Sequence, residues 1–122
     1  MSDSFLERAL GNTIPDFQVR WRELRRTYPP DSPPSAEDYL GHLTAHVSQA
    51  LAEGRVAEVT RLFLAIERVL ADADPLLADL LETHLLGALA EECRDMRIDA
   101  RLALPHLGPL SRAAWERGLT RG

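Results

Sequence analysis

"RLFLAIERVLADADPLLADLLETHLLGALAEE", residues 61–92, is built almost wholly of leucine, alanine and acid, and is broken once, at Asp-Ala-Asp-Pro. The break reads as a turn between two helices: Asp74 supplies an N-cap and Pro75 fills the first helical position, where a missing N–H costs nothing. Upstream, a helix from about Arg55 to Ala71 turns Val56, Val59, Leu62, Phe63, Ile66, Val69 and Leu70 inward. Downstream, from about Pro75 to Arg94, leucines stand at 76, 77, 80, 81, 85, 86 and 89. Projected at about 100° per residue they nearly encircle the axis, and a helix apolar all round belongs at the centre of a bundle. The expected fold is therefore all-α, a compact array of five or six helices around a leucine-rich central helix. Within the stretch, Glu67 and His84 are expected to be buried polar groups.

Working outward, Ser4 to Leu10 forms a short helix stopped by Gly11. Pro15 opens a second, on which Phe17, Trp21, Leu24 and Tyr28 make one apolar stripe. "YPPDSPPS", residues 28–35, has four prolines and cannot be helical. Ser35 followed by Glu37 and Asp38 opens a third helix, with Leu40, Leu43, Val47, Ala50 and Leu51 inward and Gly54 at its end. Met96, Ile98, Leu102 and Leu104 predict a short helical piece, "PHLGP" at 105–109 breaks it, and Leu110 to Gly118 forms a last helix anchored by Trp115. The whole, residues 1–122, reads as a single domain.

The hydrophobic share of 45% against 27% charged residues is that of a soluble globular chain. No apolar run is long enough to span a bilayer, and Met-Ser-Asp-Ser-Phe at the N-terminus has none of the basic and apolar regions of a secretory signal. A single cysteine, Cys93, fits a reducing, cytoplasmic setting. Every strong base is arginine, which with the alanine, leucine and aspartate bias has the composition of a GC-rich bacterial genome. Residues 31–100 hold five arginines against fourteen acids, whereas residues 1–30 hold five against four and residues 101–122 four against one. An acidic middle disfavours nucleic acid, which needs a basic footprint, and suits a basic protein partner.

Asp38, His42 and His46 recur four residues apart on the third helix, a spacing that places an oxygen and two imidazoles on one face and makes a metal-dependent bundle enzyme or sensor the alternative reading. The inward face of that helix centres on Leu43 and Val47, so the stripe is expected at the rim, and a further ligand would have to come from His84 or His106. A Glu67–His84 pair is open to acid–base chemistry or to a structural hydrogen bond between helices. Cys93 sits among acids that disfavour its thiolate. Gln18, Arg22, Arg25 and Arg26 form a basic face whose expected partners are acids of the same chain. No phosphate loop, serine elbow or Cys-x-x-Cys pair occurs, so no catalytic residue and no cofactor is expected. The acids Asp72, Asp74, Asp79, Glu82, Glu91, Glu92, Asp95 and Asp99 flank the leucine-rich helix as a solvated rim or as a docking face. A homodimer that buries surplus leucines is a further possibility.

The order "FLERALGNTIPDFQVRWRELRRTY", "VTRLFLAIERVLADADPLLADLLETHLLGAL" and "LGPLSRAAWERG" resembles a family of small, all-helical bacterial proteins of unknown function. The resemblance rests on Phe63 with Ile66-Glu67, the turn Asp72 to Asp74, Leu76 to Leu89, and Leu107-Gly108-Pro109 ahead of Trp115. The chain departs from it at Gly87, where an acid is common, so no acid cluster around Glu67 is carried over. Members of that type are similar to immunity proteins of bacterial toxin systems. What the resemblance implies is a non-enzymatic binding protein that caps a cognate basic toxin domain. The expected docking residues are Asp72, Asp74, Asp79 and Glu82, with Glu91, Glu92 and Asp95.

Overall fold

Ser35 and Asp74 set where two of the long helices begin, because each satisfies backbone N–H groups that the first turn leaves free. The computed structural model describes residues 3–121; Met1 and Ser2, part of the N-terminal stretch read above, lie outside them. Among the described residues there are six α-helices and no strand: α1 (Asp3–Ala9), α2 (Pro15–Arg25), α3 (Ala36–Ala52), α4 (Val56–Asp72), α5 (residues 75–95) and α6 (Pro109–Arg121). Single 3-10 turns stand at Gly11–Thr13, Ala100–Leu102 and Leu104–His106, the last two where a helical piece was expected. The fold is an all-α compact array, as the periodicity predicts.

The Ser35 hydroxyl accepts from the Asp38 N–H at 3.1 Å and the Asp38 carboxylate accepts from the Ser35 N–H at 3.0 Å, a reciprocal cap for α3. Gly54, at φ 72°, takes the left-handed turn after α3 that a side chain would resist. Asp74 Oδ1 accepts from the Leu77 N–H at 2.8 Å, and Pro75 follows it at the first helical position. α2 is shorter than its apolar stripe: it stops at Arg25, and Tyr28 reaches inward from the turn that follows.

The middle of α5 is not α-helical. Glu82–Gly87 is π-helical, with α-helix on either side at Pro75–Leu81 and Ala88–Asp95. In a straight α-helix a step of four residues turns about 40° past a full circle, so a row with that spacing winds off its face. A π turn takes in more residues and cancels the drift. Leu77, Leu81, Leu85, Leu89 and Cys93 consequently stay in one buried row from residue 77 to residue 93. The Thr44 hydroxyl of α3, which donates to the Leu40 carbonyl at 2.7 Å, also lies 3.3 Å from the His84 carbonyl inside the π segment.

This row corrects the expected centre. Leu76 is 79% exposed and Leu80 only half-buried, so α5 is not immersed all round. α3 is the central element: it packs against α1, α2, α4 and α5. It buries Tyr39, Leu40, Leu43, Thr44, His46, Val47, Ser48, Ala50 and Leu51. α6 covers α4 and the π segment of α5, with Trp115 fully buried. None of the helices among the described residues is long and apolar enough to cross a membrane.

Leu43, wholly buried on α3, tests that centre. Leu43→Ala is expected to lower unfolding free energy by about 2–5 kcal/mol, the cost of a buried cavity, read as the shift in a urea unfolding midpoint. Leu76→Ala is expected to change the unfolding free energy of the single chain, measured at low protein concentration, by less than about 0.5 kcal/mol, as an exposed position should.

Candidate functional site

Glu67 and His84 do not meet. His84 lies in the π segment, which rotates it away from the buried row; its side chain is 38% exposed and its Nε2 is 3.9 Å from a Glu37 carboxylate oxygen. The expectation of two buried polar groups is thus corrected: His84 is only half-buried, and so is Glu67. Glu67 looks the other way, across to α6. Its Oε1 accepts from the Leu110 N–H at 2.9 Å, and its Oε2 accepts from the Ser111 N–H at 3.0 Å and the Ser111 hydroxyl at 2.8 Å. A side chain of α4 therefore caps the N-terminus of α6, where negative charge is favoured by the helix dipole. Burial pushes the Glu67 carboxyl up, but the three donors outweigh it and hold it below its ordinary value of 4.5. Gly108 makes room: a Cβ there would stand 2.6 Å from the Glu67 carboxyl carbon.

The Asp38, His42 and His46 stripe is also taken apart. Asp38 is spent on the α3 cap. His42 Nε2 lies 3.1 Å from the Tyr28 hydroxyl, with the Trp21 ring 5.7 Å away. His46, expected at the rim, is buried at 6% exposure because α3 is enclosed by its neighbours; its Nε2 donates to Glu58 Oε1 at 2.6 Å. The other Glu58 oxygen meets Arg55 Nη1 at 3.1 Å, so a buried carboxylate of α4 is bracketed by two bases. Three residues chosen to share one ion thus have three different partners. Among the described residues no three His, Cys, Asp or Glu side chains are grouped as a metal ion would require.

Other polar groups are committed in the same way. Glu82, expected on a docking face, is buried, and its two oxygens accept from Arg117 Nε at 2.8 Å and Nη2 at 3.2 Å. That bidentate pair fixes α6 to α5 and removes Glu82 from any surface role. Asp74 is the α5 cap. Asp99 pairs with Arg101 two residues on. Trp21 Nε1 donates to Glu7 at 2.9 Å, and Arg25 of the basic α2 face meets the same carboxylate at 3.4 Å, an ion pair within the chain as expected. Burial, and secondarily the charge of Glu92, pushes the Cys93 thiol up, and the side chain is wholly enclosed. Beside the His46–Glu58–Arg55 cluster lies an apolar hollow of about 70 Å³, lined by Leu51, Val56, Val59, Leu102 and His106 with Arg55.

What stays on the surface is the corner where α4 passes into α5. Asp72 and Asp79 are exposed and have no hydrogen bond or ion pair among the described residues. Leu76 stands between them in the chain, three residues before Asp79 and so on the same helical face. Glu91, Glu92 and Asp95 lie twelve or more residues beyond Asp79, on the far side of the π segment. They form a separate group that has exposed Arg94 and Arg97 beside it in the chain. The apolar anchor Leu76 and the arginines Arg61 and Arg68 on the outer face of α4 were not read as site residues from the sequence.

The Glu67 cap predicts a measurable pH response. Because its folded carboxyl lies below the ordinary 4.5, its contribution is complete above that value and is lost as pH falls through the depressed one. Glu67→Gln is expected to cost about 1 kcal/mol near neutrality, shrinking as pH falls. Gly108→Ala should cost a similar amount by displacing the carboxylate, and the double variant should cost little more than either alone. Denaturant unfolding at pH 7 and at pH 4 or below checks both.

No curated protein and no solved structure matches the chain. A family model described as a domain of unknown function, DUF7674, matches residues 7–121. With nearly its whole length inside that match, the chain belongs to the DUF7674 family.

Proposed function

We propose that this chain is a non-enzymatic binding protein whose α4–α5 corner docks a basic protein partner. The most concrete form of the reading is an immunity protein that neutralises a cognate toxin domain by covering its working surface. One observation carries it: Leu76, a large apolar side chain left 79% exposed, sits at a corner whose carboxylates Asp72 and Asp79 are not consumed by internal contacts. An apolar anchor ringed by charge is the usual anatomy of a docking point, with the anchor supplying affinity and the charge supplying encounter rate. Burying one leucine contributes about 1.5–3 kcal/mol, and the field of a chain with net charge −5 draws in a basic surface.

The side chains capable of acid–base or metal chemistry also support the reading, since Glu67, Glu58, His46 and Glu82 each serve a contact that holds two helices together. The finer assignment to toxin neutralisation rests on the sequence resemblance described above. A single, enclosed cysteine fits a cytoplasmic meeting place.

The test is titration calorimetry against a basic toxin domain encoded beside this chain. Leu76→Ala, and separately Asp72→Asn with Asp79→Asn, should each weaken binding about tenfold or more, the equivalent of 1.4 kcal/mol. The charge pair should act mainly on a salt-dependent association rate. A toxin that kills despite co-expression of this protein defeats the immunity reading, and binding indifferent to all three substitutions defeats the corner.

A further inference from the structure

Two hollows lie along the outer side of α4. One, of about 400 Å³, separates α4 from the Gly11–Thr13 turn and is lined by Asn12, Thr13, Pro15, Arg61, Leu64 and Arg68. The next, of about 490 Å³, lies between α1, α4 and the start of α5 and has Phe5, Ala9, Val69 and Leu77 among its apolar lining, with Arg68 and Asp72. Arg68 lines both, so the two hollows adjoin at that side chain and together make a grooved face. Arg61 and Arg68 are exposed and have no hydrogen bond or ion pair among the described residues. Leu64, on the turn between them, is 54% exposed.

A basic, partly apolar groove on a chain of net charge −5 needs an occupant that is acidic and carries an apolar anchor. The corner of α4 and α5 has both, in Asp72, Asp79 and Leu76. It also adjoins the groove, because Asp72 and Leu77 line the groove's end. A knob and a groove side by side on one face are what a twofold contact requires, since each copy then offers the same patch to the other. With two α4 helices antiparallel and crossing near residue 70, Arg68 and Asp72 are equidistant from the axis, so each guanidinium faces the other copy's carboxylate.

We infer that a second copy of this chain occupies the groove, with its Leu76 against the groove's apolar lining and its Asp72 paired with Arg68, each contact made twice. The contact uses the corner proposed to dock a partner, so self-association and partner capture compete. The inference itself stands on the groove, and the isolated chain tests it with no partner present.

The experiment is multi-angle light scattering on the purified full chain over a concentration series, with circular dichroism confirming that each variant keeps its helices. The expected mass is twice 13.6 kDa at the upper concentrations. Arg68→Glu and Leu76→Asp should each return the single-chain mass. Arg68→Glu combined with Asp72→Arg should restore the doubled mass, because the exchanged charges meet again across the axis. A single-chain mass for the unaltered protein at every concentration overturns the inference. So does a doubled mass that survives either single substitution, or a charge-exchanged variant that stays single.

Discussion

The row Leu77, Leu81, Leu85, Leu89 and Cys93 can stay buried only because α5 widens into a π turn at Glu82–Gly87. The constraint is geometric. A four-residue repeat overruns an α-helical turn, and an apolar row with that spacing must either wind into solvent or be brought back. Bringing it back settles much else. It presents one face of α5 to α3, aims Glu82 toward Arg117 of α6, and turns His84 outward. Leu76, ahead of the π turn and outside the row, stays 79% exposed among the described residues.

Three carboxylates follow a common pattern: each holds two elements together. Glu67 joins α4 to the first turn of α6, Glu58 joins α4 to His46 of α3, and Glu82 joins α5 to Arg117 of α6. A buried carboxylate without donors would be strongly disfavoured; buried Glu58 and Glu82 and half-buried Glu67 each have at least two. The carboxylates thus specify which helices are neighbours in a bundle whose Leu and Ala faces are otherwise much alike.

The fold class was legible from periodicity, caps and prolines because these act locally. Ser35, Asp74 and Pro75 mark helix starts whatever lies around them, and the Phe17–Trp21 stripe identifies its face by spacing alone. The centre of the bundle was not legible, since the leucine count of α5 exceeded that of α3, and the projection at a constant angle knew nothing of the π turn. The same projection misplaced His84. His46 was misplaced for a different reason: a helix enclosed by four others buries positions well away from its apolar midline, and only the packing shows how many neighbours it has. The Glu58–His46 and Glu82–Arg117 contacts gave no local signal, because the partners lie twelve and thirty-five residues apart. The exposure of Leu76 is likewise a property of what fails to cover it.

Glu67 and Glu82 grip α6 at two places, its opening turn and Arg117. One grip would leave a rod free to swivel or to slip by a notch against its neighbours, which is how many bundles adjust to a visitor. Two grips from different helices oppose both motions, since either would break charge-assisted hydrogen bonds. The closing rod is thus braced at two points, and sliding it along its neighbours would cost both contacts at once.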